Sequence, residues 1–458
     1  MMKHVLKLLA TLPLLSLAAL NAAENNSSPV VQHIATGEYQ VFYLVENMLW
    51  GIGANRAGQL GIGNSQAFYQ VPPVPITFPE GVSFTDVAAG GYQSLAADRA
   101  GHVWTWGAND FGQKGEGTTI DIRESTAPGN NGIPGMIQES DDGTVFDHVI
   151  SVKSGLQFNT ALKNDGSVWV WGLCGKEAVD STGIGGDSDI GRKAITRPRH
   201  VPFDATVRIV QIVASDNIMF ARDANGGVWS WGGGPDSVAN RGSGESDYCK
   251  PHQVANLPAV VDITTGSGFA YAVDADGVLW GWGSCGTYLG LGDPKGGWMP
   301  IPKATKLSFP EFGSGRKVVA VAASAHATHV ILDDGTLWGW GDSAMGEVGD
   351  GTMLDFSKHK HSWDWGKYEA MVFRPVRIAA NVHDFKALYT TSQCFYSYAV
   401  TASGTLYSWG RNKTGILGNG VLPTGDAGTY PDSWNVPVAT QVSPLIMKTA
   451  TKVPTKTE

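Results

Sequence analysis

Apolar residues in this chain recur in short alternating runs, not at helical spacing. The clearest run is a seven-residue block that opens on a turn residue and closes on an aromatic, one further residue, a Trp (Ile in the first copy) and a Gly. It stands as NMLWGIG at 47–53, GHVWTWG at 101–107, GSVWVWG at 166–172 and GGVWSWG at 226–232. It continues as GVLWGWG at 277–283, GTLWGWG at 335–341 and GTLYSWG at 404–410. Alternation puts Val103 and Thr105 on one face and Trp104 and Trp106 on the other, which is the period of a strand.

Other apolar segments flank each block at similar distances. Phe84–Ala89, Val260–Thr265 and Val318–Ala323 lie upstream, and Ser94–Ala97 and Thr328–Leu332 stand between them and the block. A Pro-Val segment often closes the unit, as at Pro72–Pro75, Arg374–Ile378 and Val436–Val442. The closing glycines Gly53, Gly107, Gly172, Gly232, Gly283, Gly341 and Gly410 are 54, 65, 60, 51, 58 and 69 residues apart. Seven units of three or four strands, with a minimum period near 51, predict an all-β fold, a seven-bladed β-propeller built as one domain over 24–442. The chain would open with a strand near Val30–Ala35 and end on the Pro-Val strand. A ring closed by pairing of the two chain ends in one blade would remove the exposed sheet edges. Residues 443–458 read as a flexible C-terminal tail.

The tails of several blocks carry a second pattern. The first copy continues as Asn55, Gly58, Gln59, Leu60, Gly61, and the second keeps Asn109, Gly112, Gln113 and Gly115. The seventh keeps Asn412, Gly415, Leu417 and Gly418, whereas the sixth reads Gly346-Glu347-Val348-Gly349. Blocks of this form resemble the repeats of the regulator of chromosome condensation (RCC1-like) family, here as a divergent secreted bacterial branch. The resemblance implies a seven-bladed propeller. The family repeat carries a His eight residues before the Gly that opens the block. The corresponding positions here read Tyr39, Gln93, Phe158, Ile218, Phe269, Ala327 and Tyr396, which implies a repacked centre. The founding member is a nuclear exchange factor for a small GTPase that binds chromatin, and the N-terminus and charge oppose that role.

Lys3 and Lys7 flank the start of an apolar run, Leu8–Leu20, followed by Ala22, Ala23 and the polar stretch Glu24–Ser28. That order predicts a signal peptide over 1–23 and an exported protein, periplasmic or extracellular, from a bacterium. No later segment is long and apolar enough for a transmembrane span. Removing the two lysines leaves 31 basic residues of the original 33 against 42 acids, a net charge of −11. An acidic surface argues against a nucleic-acid partner. Glycine at 59 of 458 residues, with charged residues at only 16%, fits many tight turns around a large core.

Chemistry is expected in the insertions, which fall in one slot after the Trp-Gly block: around Thr118–Thr144, Lys176–His200, Asp350–Val372 and Asn419–Trp434. Equivalent slots emerge on one face, so these loops should gather into one surface. The blade-six loop is the richest. In an extended segment His359, His361 and Trp363 point the same way, and with Trp365, Tyr368 and Trp434 they are the candidate ligand-binding residues. The expected function is an interaction module, monomeric, that recognises a protein or polysaccharide partner. The alternatives are a secreted inhibitor of an enzyme and an extracellular carbohydrate-active lyase or hydrolase. A catalytic pair would have to come from His102, His148, His200, Glu124 and Asp364, but no hydrolase, zinc-protease or phosphate-loop motif is present. His326 and His329 read as structural, and neither a metal set nor a cofactor is expected.

Four cysteines, Cys174, Cys249, Cys285 and Cys394, suggest pairing in an exported chain. Cys249 with Cys285 is the expected disulfide. Intact mass after alkylation without reductant should show two modified thiols, and four would contradict it.

Overall fold

The computed structural model describes residues 31–63, 69–119, 132–174, 193–216, 218–232, 251–283, 286–292, 300–355, 369–419 and 435–442. They form seven four-stranded antiparallel sheets and, among the described residues, no α-helix; two short 3-10 turns complete the regular structure. The chain is a seven-bladed propeller. Each repeat supplies one blade in chain order. The upstream segment is the innermost strand, the Trp-Gly block is the third, and the Pro-Val segment is the outermost. The long insertions therefore join the third and fourth strands of the same blade, not one blade to the next.

The ring closes differently from the sequence expectation. Blade one is built from Val31–Thr36, Gln40–Val45, Met48–Ala54 and Tyr69–Pro75, and blade seven from Phe385–Tyr389, Tyr396–Thr401, Leu406–Gly410 and Val436–Gln441. Among the described residues the two chain ends share no sheet. Side chains close the seam instead. Ile34, Val41, Tyr43 and Ile52 of blade one pack with Tyr396, Tyr398, Val400 and Leu417 of blade seven in one buried cluster. Tyr43 and Tyr398 join their hydroxyls at 2.9 Å, and Tyr396 donates to Gly37 O and, at 3.2 Å, to Gln40 O.

One interaction recurs at the blade interfaces. The Trp before the closing Gly is fully buried. In blades two, three, six and seven its indole N–H donates to a carbonyl in the tail of the preceding blade, while Nε1 of Trp231 in blade four is buried without a partner among the described residues. Trp106 reaches Gln59 O at 2.8 Å, Trp171 reaches Gln113 O at 2.8 Å, Trp340 reaches Tyr288 O at 3.0 Å and Trp409 reaches Glu347 O at 2.9 Å. Blade one has Ile52 in place of this Trp. There the equivalent carbonyl, Ile416 O, accepts from Tyr398. The first Trp of the block is tied within its own blade. Trp104, Trp229 and Trp280 donate to Asp98, Asp223 and Asp274 in the turn between the second and third strands, at 3.0, 2.8 and 2.9 Å.

The tail glycine makes room for the indole. At Gly115, φ is +71°, and a Cβ would stand 2.7 Å from Ile137 Cδ1 and 3.1 Å from Trp171 Nε1. His329 belongs to the same interface. It lies under Trp409, with ring centroids 5.0 Å apart, and its Nε2 is 3.2 Å from Val348 O. Burial lowers its pKa to about 4, so it packs as a neutral ring, consistent with its structural reading.

Glu347 holds the tail position that is glutamine in blades one and two. The Oε1 atoms of Gln59 and Gln113 accept from the N–H groups of Ala57 and Phe111 at 2.8 Å, and Glu347 Oε2 accepts from Met345 at 2.7 Å. Its Oε1 is buried without a partner. Burial, and then the Asp342 carboxylate, push this acid well above the ordinary carboxylate range, with Arg411 opposing. Burial thus favours the uncharged carboxyl, the form that most resembles the carboxamide it replaces.

Two stability measurements follow from these contacts. Gly63 also has positive φ, at +77°, but open space where a Cβ would project. Gly63→Ala should therefore cost only the backbone strain, about 1–2 kcal/mol, while Gly115→Ala adds overpacking of about 1–3 kcal/mol. Equal costs in urea unfolding would contradict the indole contact. For Glu347 the folded-state pKa is raised, so its contribution is complete below the unfolded value of 4.5 and is lost as pH rises through the folded value. Glu347→Gln should gain on the native protein as pH rises from 4.5 towards the folded value, by up to about 1.4 kcal/mol per unit, and the difference should level off above the folded value. A stability difference that does not vary with pH would contradict a buried neutral acid.

Candidate functional site

The turns between first and second strands emerge at the same end of the ring as the connections between third and fourth strands, because those strand ends are paired. Gln40 pairs with Gly53, Gln93 with Gly107, Ala327 with Gly341 and Tyr396 with Gly410. This register corrects one position of the sequence reading: Gln40, not Tyr39, is equivalent to Gln93. Both glutamines tie adjacent blades together. Gln40 Nε2 donates to Gly90 O at 3.2 Å and Gln93 Nε2 to Gly155 O at 3.0 Å.

In five blades the carbonyl of the residue just before the second strand accepts from the N–H that follows the closing glycine of the block. Tyr39 O accepts from Ala54 N at 2.8 Å, Tyr92 O from Ala108 N at 2.9 Å, Gln157 O from Leu173 N at 2.9 Å, His326 O from Asp342 N at 3.0 Å and Phe395 O from Arg411 N at 2.8 Å. The glycine is required there. At Gly53, φ is +112° and a Cβ would meet Tyr39 O at 2.3 Å. A backbone belt also links these turns from blade to blade, through Glu38 N to Gly90 O, Gly91 N to Leu156 O, Leu156 N to Asp216 O, Ser267 N to Ala325 O and Ala325 N to Cys394 O, at 2.8–3.3 Å.

In four consecutive blades, six, seven, one and two, the belt position is a ring: His326, Phe395, Tyr39 and Tyr92. His326 stacks on Tyr288 at 5.4 Å and meets Phe395 edge-on at 5.5 Å. The Arg411 guanidinium lies 5.5 Å from the centre of the Phe395 ring, and its charge acts on Glu38. Tyr39 and Tyr92 lie 5.3 Å apart. The result is a crescent of partly exposed rings around the loop-side end of the central channel, with Tyr92 the most open at 39%.

Charge is muted along this crescent. Burial raises the pKa of Glu38, against its hydrogen bond from Tyr39 and the charge of Arg411. Burial likewise raises Asp216, which accepts from Ser267 Oγ at 2.8 Å, and Asp342, and it lowers His326. The surface offers aromatic area, one cation and weakly acidic neighbours. It suits recognition of another surface better than proton transfer.

The sequence candidates His359, His361, Trp363, Trp365, Tyr368 and Trp434 lie outside the described residues, as do Cys249 and Cys285. The connections that carry the six candidates leave and re-enter blades six and seven at the crescent end. Each histidine offered for catalysis has a local partner. His102 is 3.1 Å from Asp98 in its own turn, His148 is 2.6 Å from Asp147, and His200 packs edge-on against Trp169. Glu124 and Asp364 fall outside the described residues. Among the described residues no group of three or more His, Cys, Asp or Glu could hold a metal ion, and no helix is long and apolar enough to cross a membrane. Cys394 is a buried free thiol at the seam, 3.2 Å from Gly37 O. Sequence reasoning missed the crescent. Its signal was an aromatic or His immediately before the second strand in four units, visible only once the register is set.

Comparisons with known proteins agree with the architecture. The RCC1-like domain family matches residues 48–448. The chain is 28% identical over 436 residues to the guanine nucleotide exchange factor SRM1 of Saccharomyces cerevisiae, covering 87% of this chain and 86% of that one. It is 26% identical over 407 residues to the mitochondrial RCC1 domain-containing protein RUG3 of Arabidopsis thaliana, covering 82% and 79%. Among solved structures, yeast RCC1 (Prp20), crystallised bound to Kap60, aligns with a TM-score of 0.66 at 24% identity, covering 92% of this chain and 89% of that one. Repeat pattern, blade order and these matches agree, and the chain belongs to the RCC1-like domain family.

Proposed function

We propose that this protein is an exported interaction module that recognises a protein partner through its loop-rich face, with the crescent at the centre of the contact. The observation that carries the reading is the run His326, Phe395, Tyr39, Tyr92 across four adjacent blades, on a rigid backbone belt and beside Arg411. Aromatic residues and Arg supply most binding energy in protein interfaces, and preorganised positions lose little entropy on binding. A related propeller, yeast RCC1, was crystallised with a protein, Kap60. The export part rests on the order of residues 1–28, a basic start, an apolar run and then small and polar residues. The six loop candidates from His359 to Trp434 join the same contact in this reading.

The test is capture of partners from cell-envelope extract by the tagged full chain, compared with a Tyr92→Ala/Phe395→Ala variant. Thermal unfolding should show that the variant is folded. The double substitution should weaken capture by at least about tenfold, as expected for losing two interface anchors. Val319→Ala, at an exposed position on the opposite end, should leave capture unchanged. Undiminished capture by the folded double variant would overturn the assignment to this face.

A further inference from the structure

We propose that the central channel is a binding site for an uncharged polyhydroxyl molecule of about monosaccharide size. The channel is a cavity of about 410 Å³, within the range of about 300–1,000 Å³ typical of small-molecule sites. Its walls are the innermost strands. The fifth residues of those strands, Ala35, Ala88, Lys153, Val213, Thr264, Ala322 and Tyr389, all line it. At this one level, blades three, five and seven present Lys153, Thr264 and Tyr389, while three of the other four positions are alanines. Polar groups two blades apart, separated by small residues, leave a central space edged by hydrogen-bonding side chains.

Several of these groups lack a partner. Ser392 lines the same cavity, is only 1% exposed, and its Oγ makes no hydrogen bond. The hydroxyls of Thr264 and Tyr389 likewise make none among the described residues. A buried hydroxyl left unpaired costs about 1–3 kcal/mol, a cost that applies to Ser392, and with the half-buried Thr264 and Tyr389 on the same cavity it forms a set of contacts for something that enters. Tyr389 also meets His33 edge-on at 5.6 Å, giving the cavity an aromatic wall.

The charged groups argue for an uncharged occupant. Lys153 Nζ is 2.8 Å from Asp86 Oδ2, which also accepts from Ser151 Oγ at 2.7 Å and Val152 N at 3.0 Å. Across the ring, Arg222 donates to Gln211 at 3.0 Å, and Gln211 donates to Asp262 at 2.7 Å. Lys153 is thus matched by a carboxylate and Gln211 is engaged on both sides, and hydroxyls are what remain on the wall. At the crescent end, Gln393 of blade seven reaches across the channel to within 3.5 Å of Ser154 O in blade three. Its Oε1 is buried and unpaired. Entry is therefore from the opposite mouth, so this site is separate from the proposed protein contact.

Saturation-transfer NMR on the full chain, with D-glucose, D-galactose and myo-inositol in turn, tests the site, with sodium acetate and sodium phosphate as charged comparisons. At least one polyol should receive saturation, and its dissociation constant should rise about tenfold or more in Thr264→Val and in Ser392→Ala, each losing one hydrogen bond to the ligand. Tyr389→Phe serves if either variant fails to fold. No transfer to any polyol at tens of millimolar would overturn the proposal. So would binding of the anions alone, or polyol binding that the hydroxyl deletions leave unchanged.

Discussion

A buried indole N–H in one blade, paired with a backbone carbonyl in the blade before it, is the contact on which the ring depends. A blade alone would leave the broad Trp face in water and the tail carbonyl without its donor. Burying a Trp removes roughly 150–250 Å² from solvent, worth about 4–6 kcal/mol before entropy, and the hydrogen bond fixes its direction. The tail glycine, at positive φ and in contact with that ring, is the other half of the arrangement. The two motifs that recur in the sequence, the Trp-Gly block and the Gly-x-Leu-Gly tail, are thus two sides of one interface. Sequence neighbours within a unit become partners across units.

At the seam where the ring closes, the structure replaces this contact with different chemistry. Blade one has Ile52 at the Trp position, and Tyr398, Tyr396 and Tyr43 supply the hydroxyls that bridge to blade seven. The last blade therefore meets the first through a set of phenols instead of a shared sheet. The same seam brings residues 39 and 395 onto one crescent. Closing the ring and assembling the candidate site are consequences of the same geometry.

Much of the architecture was legible from periodicity, since strand alternation and seven Trp-Gly blocks specify blades and their order. The slot of the insertions was legible too, and with it the common end from which the loops leave. The closure was not, because nothing local marks Tyr43 and Tyr398 as partners 355 residues apart. The crescent was hidden for a related reason. Tyr39 was visible as a departure from the family pattern, but a one-residue error in register assigned it to the blade interior, where Gln40 belongs. In a strand, one residue exchanges one face for the other. The channel contacts were likewise invisible, since Lys153, Thr264 and Tyr389 share a level only after seven strands are set side by side.

The indole protons report most directly on the interblade contact. Hydrogen exchange of the Trp side chains, followed by ¹H–¹⁵N NMR of the full chain, separates the two Trp positions of each block. Nε1–H of Trp106, Trp171, Trp340 and Trp409 should exchange only through global unfolding, as slowly as the core strand amides. Those of the half-buried Trp104, Trp229 and Trp280 should exchange through local opening. Equal, fast exchange at both positions would contradict it.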